Sequence, residues 1–290
     1  MKAFFLSKST LPYLAKRPLN AHKGSFGHVL VVAGSEGMTG AGVLATLGAE
    51  MIGAGLTTLA VPKSCLSYVA PHGISFMLKG LPHTKEDSLS LDALNPILEL
   101  IQGKDVLVLG PGLSRHPETA TLVRTLLGKL SIPTILDADA LNSLEGYMHF
   151  PLPVNTILTP HPGEFRRLYG NYDPVQRIEM CYDYLEKWPL NILVLKGANT
   201  LVARKNEIYE NYTGNPGMAV GGMGDILAGC IGGLLAQGLS AWDASRLAVY
   251  LHGLAGDLAA KKYGQESLTP ECLLKSLPEA LLFYRNFKTS

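Results

Sequence analysis

The chain has 290 residues, of which 47% are hydrophobic and 17% charged, and its formal net charge is +1. This composition excludes a disordered chain and is typical of one large globular domain. The small net charge gives no electrostatic attraction for nucleic acid or for an anionic membrane surface. The apolar run at the N-terminus is too short for a signal peptide. We therefore expect a soluble, cytoplasmic protein in which residues 1–290 form a single domain.

Short apolar segments alternate with helix-length segments along most of the chain. Near-continuous apolar strands separated by helices indicate a parallel sheet with both faces covered, and hence an α/β fold. The predicted strands are His28–Ala33, Leu56–Val61, Ile74–Leu78, Asp105–Leu109, Pro133–Leu136, Thr156–Leu158 and Ile192–Leu195. The predicted helices are Gly40–Ala54, Asp225–Ala236, Ala241–Lys262 and Pro270–Leu277.

The loops that leave the later strands carry most of the polar motifs. In open α/β sheets, ligands bind beyond the carboxyl ends of the strands, so these loops are the candidate site. The motifs are Gly110-Pro111-Gly112-Leu113, Asp137-Ala138-Asp139-Ala140-Leu141-Asn142, Thr159-Pro160-His161-Pro162-Gly163-Glu164 and Lys196-Gly197-Ala198-Asn199-Thr200.

Each of these loops also has a purely structural interpretation. An aspartate of the second motif, or Thr159, could cap the helix that follows it. Glu164 could complement the dipole of a first helical turn, and Lys196 could be a solvated loop cation. The presence of several such loops at successive strand ends favours a binding site.

The segment from Gly214 to Asp225 is rich in glycine and leads into an apolar helix. Glycines allow positive φ angles and a close approach of the backbone to a ligand. The unpaired N–H groups and positive dipole end at Gly222, Met223 and Gly224 predict an anion site. An acid beside that site, Asp225, suits phosphoryl transfer, in which a hydroxyl nucleophile loses its proton. The structural alternative is that Asp225 only caps the helix.

The four cysteines and six of the histidines lie outside the motifs described above. The four cysteines are far apart and include no CxxC pair, which predicts reduced core thiols and neither a disulfide framework nor a zinc site. They are Cys65, Cys181, Cys230 and Cys272. Surface or packing roles are predicted for His22, His72, His83, His116, His149 and His252.

Taken together, the strand-end motifs and the Gly222-Met223-Gly224-Asp225 segment resemble those of the NAD(P)H-hydrate dehydratases. These are nucleotide-dependent repair enzymes of the ribokinase-like superfamily. The resemblance runs from Lys23 to Ala259 and implies a three-layer α/β/α fold around a mostly parallel sheet. In many bacteria this domain follows an epimerase domain. The motifs begin almost at once here, so we expect no epimerase domain.

The resemblance implies an ADP-dependent dehydration of the S-epimer of hydrated NADH or NADPH, with release of AMP and phosphate. The Gly-Met-Gly-Asp form looks more like the ADP-using bacterial members than the ATP-using eukaryotic ones. Asp225 would be the catalytic base, and the backbone of Gly222, Met223 and Gly224 the anion hole.

The other site residues also follow from the resemblance. The nucleotide would be bound by Lys196, Gly197, Ala198, Asn199, Thr200 and Gly224. The hydrated dinucleotide would contact Ala41, Gly112, His161 and Asp225. Mg²⁺ is expected on the phosphates, with Glu164 as a candidate outside its direct ligands, and a homotetramer is expected by analogy.

Two other functions remain open from the sequence. A vitamin or sugar kinase of the same superfamily, such as a hydroxyethylthiazole or hydroxymethylpyrimidine kinase, would use the same anion hole and base but release its product intact. A nucleotide-binding regulator without catalysis is the second alternative, and the presence of Asp225 argues against it.

Overall fold

The computed structural model of the protein describes residues 3–147 and 150–289, so that His149 lies outside the described residues. The strands β1 to β10 are Phe4–Phe5, His28–Val32, Leu56–Pro62, Met77–Leu81, Val106–Leu109, Thr134–Leu136, Ile157–Leu158, Ile192–Leu195, Leu201–Arg204 and Glu207–Glu210. The helices α1 to α10 are Thr39–Met51, Leu66–Val69, Leu94–Ile101, Pro117–Leu127, Ala138–Asn142, Pro162–Tyr169, Arg177–Lys187, Met223–Ala236, Ala241–Tyr263 and Pro270–Thr289.

The strands form a single sheet in the order β1-β10-β9-β8-β7-β6-β5-β2-β3-β4. Among the described strands, β9 alone runs antiparallel to its neighbours, β8 and β10. The carboxyl ends of β2, β5, β6, β7 and β8 therefore meet at one edge, which lies next to the N-terminus of α8.

Helices cover both faces of the sheet. Successive side chains of a strand point to opposite sides, so an apolar strand such as β2 presents an apolar surface on each face. In β2, Val29 and Val31 belong to one apolar cluster, together with residues of α1, α8, α9 and α10. Leu30 and Val32 belong to a second cluster with residues of α3 to α7. The fold is therefore the three-layer α/β/α arrangement around a mostly parallel sheet that the sequence predicts.

Helix α8 packs unusually close to α1, and glycines make this possible. A β-carbon added at Gly229 would lie 1.8 Å from the carbonyl oxygen of Ala45. One added at Gly48 would lie 2.5 Å from the carbonyl oxygen of Ile226. Backbone therefore meets backbone, which holds the first turns of α8 rigidly against the layer below.

Several predicted boundaries are wrong. The fourth strand begins at Met77, and Ile74, placed in that strand by its apolar character, is 97% exposed. Strands β9 and β10 were not predicted because the Lys205-Asn206 turn between them lacks the glycine that marks a two-residue hairpin. Helix α10 continues through Pro278 to Thr289, well beyond the predicted end.

The thiol prediction is correct for three of the four cysteines. Cys65, Cys181 and Cys230 are buried, but Cys272 is only half-buried at the start of α10. Burial raises the pKa of Cys181 and of Cys230 to about 12, so both are inert thiols. Within the described part of the chain, every helix is too short or too polar to cross a bilayer.

Candidate active site

Hydrogen bonds between neighbouring loops join the strand-end motifs into one surface. Each loop donates a backbone N–H to the strand end or loop beside it. These bonds are Gly34 to Pro111 (2.8 Å), Asp137 to Leu109 (3.1 Å), Thr159 to Leu136 (3.1 Å) and Lys196 to Pro160 (2.8 Å). The structure therefore brings together the four motifs that the sequence places at strand ends.

Two glycines shape the loop after β5. Gly110 has φ 130°, and a β-carbon there would lie 1.8 Å from the carbonyl oxygen of Asp137. Gly112 has φ 64°, and a β-carbon there would lie 3.1 Å from the β-carbon of Ala41 on α1. Both positions need glycine, because any side chain would be strained and crowded. Ala41 and Gly112 are thus adjacent in the fold.

The N-terminus of α8 carries no side-chain cap. Gly222 is the N-cap residue, with φ 94°, and Met223, Gly224 and Asp225 are the first three residues of the helix. The interpretation of Asp225 as an N-cap is therefore wrong. The unpaired N–H groups of a first helical turn, together with the positive end of the helix dipole, can attract an anion.

Burial raises the pKa of Asp225 to about 7. The nearby carboxylates of Asp137, Glu164 and Asp139 contribute to this rise, and the ammonium of Lys196 opposes it. A carboxylate with a pKa near 7 can hold a proton and release it close to neutral pH, as a general base must. The perturbation arises from burial and from an excess of acids around a single lysine.

Lys196 is not a solvated cation, as one interpretation of the sequence had it. Its side chain is only 17% exposed, and its Nζ donates to Oδ1 of Asp137 at 2.6 Å and lies 4.0 Å from Oε2 of Glu164. Burial acts to lower the pKa of Lys196, but these carboxylates outweigh it and raise the pKa above its ordinary value. A β-carbon at Gly224 would lie 3.1 Å from Nζ, so the ammonium covers the first turn of α8.

Asp137 is held as a buried counter-ion and does not cap α5. It is 1% exposed and stands at the N-cap position without a side-chain capping bond. Its Oδ1 accepts from Oγ1 of Thr159 at 2.8 Å, as well as from Lys196. Thr159 does not cap a helix either, because the N-cap residue of α6 is His161.

The cap of α6 is His161. Its Nδ1 accepts from the N–H of Gly163 at 3.0 Å, and Oε2 of Glu164 accepts from the N–H of His161 at 2.8 Å. Burial, followed by the charges of Lys196 and Arg167, lowers the pKa of His161. The imidazole is therefore neutral at neutral pH, with Nε2 carrying the remaining proton. The structural interpretation, which places Glu164 in a first helical turn, is correct, and its side chain completes the capping box of α6.

The side chains around Glu164 do not form a set of protein ligands for a metal ion. Its Oε2 is occupied by the capping bond, and burial raises the pKa of the carboxyl. Across residues 3–147 and 150–289, no three His, Cys, Asp or Glu side chains are grouped so that they could hold a metal ion. Any Mg²⁺ in this site must therefore be held mainly by other ligands, such as phosphate oxygens and water.

The Lys196–Thr200 loop forms the turn between β8 and β9. Gly197, Ala198 and Asn199 are exposed, and Gly197 and Asn199 have φ angles of 144° and 54°. Arg177 donates to the carbonyl oxygens of Ala198 and Asn199 at 2.8 and 3.1 Å, and it pairs with Glu210. The sequence offered no signal for Arg177, which lies at the start of α7 outside every motif.

A second chain of hydrogen bonds joins the loop after β5 to α5 and α6. Oδ2 of Asp139 accepts from the N–H of Ser114 at 2.9 Å, and its Oδ1 accepts from Nδ2 of Asn142 at 3.0 Å. Oδ1 of Asn142 in turn accepts from Nε of Arg167 at 2.9 Å. Asp139 and Asn142 thus position neighbouring loops, which the sequence could not distinguish from direct binding.

Comparison with known proteins agrees with this geometry. The sequence model of a family described as NAD(P)H-hydrate dehydratase matches residues 29–279. A bifunctional NAD(P)H-hydrate repair enzyme of Moorella thermoacetica is 45% identical over 278 residues, covering 92% of this chain and 52% of that enzyme. The corresponding enzyme of Coxiella burnetii is 40% identical and covers 90% of this chain and 51% of its own length.

Solved structures show the same fold. The ADP/ATP-dependent NAD(P)H-hydrate dehydratase of Bacillus subtilis, co-crystallised with ATP and Mg²⁺, has a TM-score of 0.81 at 29% identity, covering 98% of this chain and 99% of that chain. A ribokinase-like superfamily protein of Enterococcus faecalis has a TM-score of 0.85 at 28% identity, covering 97% and 96%. A hydroxyethylthiazole kinase of Pyrococcus horikoshii, at 14% identity and a TM-score of 0.56, covers 91% and 89% and shares the fold alone.

The chain spans about half the length of the curated relatives it matches. The family match nevertheless covers most of the chain, including all the strand-end motifs and the start of α8. This chain belongs to the NAD(P)H-hydrate dehydratase family.

Proposed function

We propose that this protein uses ADP to dehydrate the S-epimer of hydrated NADH or NADPH, with release of AMP and phosphate. The observation that carries the proposal is the position of Asp225. It combines a pKa raised to about 7 with a place in the first turn of α8, beside unpaired N–H groups. A base next to an anion site is what the transfer of a phosphoryl group to a hydroxyl requires.

In the first step, Asp225 removes the proton from the hydroxyl group of the hydrated ring. The hydroxyl oxygen forms a bond to the terminal phosphorus of ADP, and the bond from that phosphorus to the bridging oxygen breaks, which releases AMP. In the second step, the C–O bond of the ring breaks and phosphate leaves. Loss of a proton from the adjacent carbon then restores the double bond of the reduced nicotinamide.

The first turn of α8 and Lys196 would stabilise the phosphoryl group during transfer. Its negative charge would meet the N–H groups of Met223 and Gly224, and the ammonium that covers Gly224. Asp137 holds that ammonium in place with a 2.6 Å bond, so the cation costs no reorganisation when the nucleotide arrives. The exposed Gly197–Thr200 turn would contact the rest of the nucleotide.

The dinucleotide side is proposed to consist of Ala41, Gly112 and His161. Gly112 and Ala41 form one wall without side-chain bulk, which suits the approach of a flat ring. His161 presents the protonated Nε2 of a neutral imidazole, a hydrogen-bond donor for a polar group of the substrate.

Magnesium is proposed as a companion of the nucleotide. When bound to the phosphates, Mg²⁺ would neutralise part of their charge. The excess of carboxylates around Lys196 is compatible with a cation arriving on the nucleotide, and Glu164 remains a candidate outside its direct ligands. We also propose a homotetramer in the cytoplasm, with residues 1–290 acting as one dehydratase domain and with no nucleic-acid or membrane partner.

Incubation of the protein with Mg²⁺, hydrated NADH and either ADP or ATP tests the proposal, with absorbance near 340 nm as the readout. Regeneration of NADH with ADP, together with release of equal amounts of AMP and phosphate, supports it. A stable phosphorylated product would indicate a small-molecule kinase. Nucleotide binding without turnover would indicate a regulator. Parallel assays with hydrated NADPH measure which of the two hydrated dinucleotides the protein prefers.

A further inference from the structure

One face of α9 contacts the loop that leads into α8. It consists of His252, Gly253, Gly256 and Asp257, and we call it the loop-binding face. These residues belong to the sequence His252-Gly253-Leu254-Ala255-Gly256-Asp257, in the middle of a 23-residue helix. Two glycines inside a helix weaken it relative to alanine. Their presence here therefore indicates a contact that needs them.

His252 reaches the anion site directly. Its Nε2 lies 2.9 Å from the carbonyl oxygen of Met223, and the residue is 9% exposed. Because a carbonyl oxygen can only accept, Nε2 carries the proton. Burial lowers the pKa of His252 to about 4, and this keeps the ring neutral at neutral pH. The Met223 carbonyl belongs to the same peptide group as the N–H of Gly224.

The two glycines bring the loop against the backbone of α9. A β-carbon at Gly253 would lie 2.3 Å from Oγ1 of Thr213 and 2.6 Å from its backbone. One at Gly256 would lie 2.2 Å from Sδ of Met218. Oγ1 of Thr213 also donates to the carbonyl oxygen of Tyr250 at 3.0 Å. At these two positions α9 has no side chain of its own, so Thr213 and Met218 of the loop pack directly against the helix backbone.

Asp257 ties down the first glycine of the loop. Its Oδ2 accepts from the N–H of Gly214 at 2.9 Å, and its Oδ1 accepts from Nδ2 of Asn215 at 3.0 Å. Gly214 has φ 106°, a conformation that requires glycine. Both ends of the segment from Gly214 to Met223 are thus attached to α9, one by Asp257 and the other by His252.

We propose that the loop-binding face of α9 positions the anion hole, with His252 as a positioning residue that orients the Met223–Gly224 peptide group. The hydrogen bond at the carbonyl fixes the direction of the Gly224 N–H and polarises it toward the phosphate. This inference rests on the proposed function only in assigning the terminal phosphate of ADP to that N–H. His252 itself touches neither the nucleotide nor the hydrated ring.

The test compares His252→Leu, which removes the donor at similar volume, with His252→Gln, whose amide can donate from a similar position. Ser245→Ala, a buried change elsewhere on α9 whose hydroxyl bonds only within the helix, is the matched control. Calorimetry measures the affinities for ADP and AMP. Amide hydrogen exchange in the free protein compares residues 213–225 with the C-terminal half of α8.

We expect His252→Leu to weaken ADP binding about tenfold, the effect of losing one well-oriented hydrogen bond. AMP binding should change less than about twofold, because AMP lacks the transferred phosphate. Exchange should accelerate within residues 213–225 alone, and His252→Gln should largely restore both properties. Ser245→Ala should resemble the wild type in both measurements.

Three results would overturn the inference: unchanged exchange in residues 213–225, an equal loss of ADP and AMP affinity, or no recovery in His252→Gln. Failure of the proposed function would look different. The wild-type protein itself would then bind ADP no better than AMP or fail to regenerate NADH. The exchange comparison would still decide the role of His252, since it needs no ligand.

Discussion

Replacing Asp225 with asparagine should stabilise the protein and abolish most of its activity. The side chain keeps its size but loses the proton acceptor, so kcat/KM should fall about a hundredfold or more, the scale of general-base catalysis. The stability gain follows from the raised pKa of Asp225. Folding takes this carboxyl from a pKa of 3.8 to about 7, which means that the native state disfavours its charged form.

The size of this gain depends on pH. A pKa raised by about three corresponds to about 4 kcal/mol of lost folding free energy at full burial. Partial exposure of Asp225 reduces this to about 2 kcal/mol. Well below pH 3.8 the wild-type carboxyl is protonated in both the folded and the unfolded state, so the variant gains nothing there. From there the wild type loses stability as pH rises, and the full difference is reached above pH 7. Above pH 7 the variant should melt about 4 °C higher than the wild type.

The control is Asp243→Asn, which changes the acid at the matching third position of α9. Asp243 accepts from Ser240 and pairs with Arg246, so its loss should lower the melting temperature slightly. Scanning calorimetry at pH 4.5, 6 and 8, with NADH regeneration as the activity assay, measures both effects. Near-normal turnover of the Asp225 variant, or a stability difference that does not grow with pH, would refute the argument.

One pH profile of the wild type and three further substitutions also test the site. The wild-type kcat/KM should rise with pH and level off above about 7, because only ionised Asp225 accepts a proton; a flat profile between pH 5.5 and 8 would exclude it as the base. In Gly224→Val the new side chain should displace the Lys196 ammonium, because a β-carbon there would lie 3.1 Å from Nζ. We expect calorimetry to show an ADP affinity about tenfold lower or more, whereas an unchanged affinity would put the phosphate elsewhere. Lys196→Ala should raise KM for ADP and, by leaving Asp137 buried and unpaired, cost about 3 kcal/mol in denaturant titrations. In contrast, His161→Asn, which keeps a capping side chain, should raise only the KM for the hydrated dinucleotide. Identical defects in ADP use in Lys196→Ala and His161→Asn would contradict separate sites for the nucleotide and the hydrate.

The sequence by itself determined the architecture and the location of the site. Apolar strands such as Val106–Leu109 can only be buried on both faces, and this requires helices on each side of a parallel sheet. Parallel strands bring their carboxyl ends to one edge, so the motifs that follow Leu109, Leu136, Leu158 and Leu195 must meet there. Local glycine content also predicted the anion site at the start of α8. These conclusions depend on patterns within short segments.

Elements whose signals are not local were missed or misplaced. The β9–β10 hairpin has no glycine turn, and the strand predicted from Ile74 begins at Met77, the first residue of β4 that pairs with β3. The last predicted helix ends at Leu277, just before Pro278, yet α10 continues past that proline. In each case packing against the rest of the sheet or of the helical layer outweighed the local preference.

The chemical state of the site was decided by tertiary structure alone. Lys196 and Asp137 are 59 positions apart in the sequence, and their 2.6 Å contact turns a presumed loop cation into a buried ion pair. The pKa of Asp225 depends on acids contributed by two other loops, and the bond from His252 to Met223 spans 29 positions. Electrostatic energies depend on distances and on burial, and folding sets both through contacts that no short segment contains.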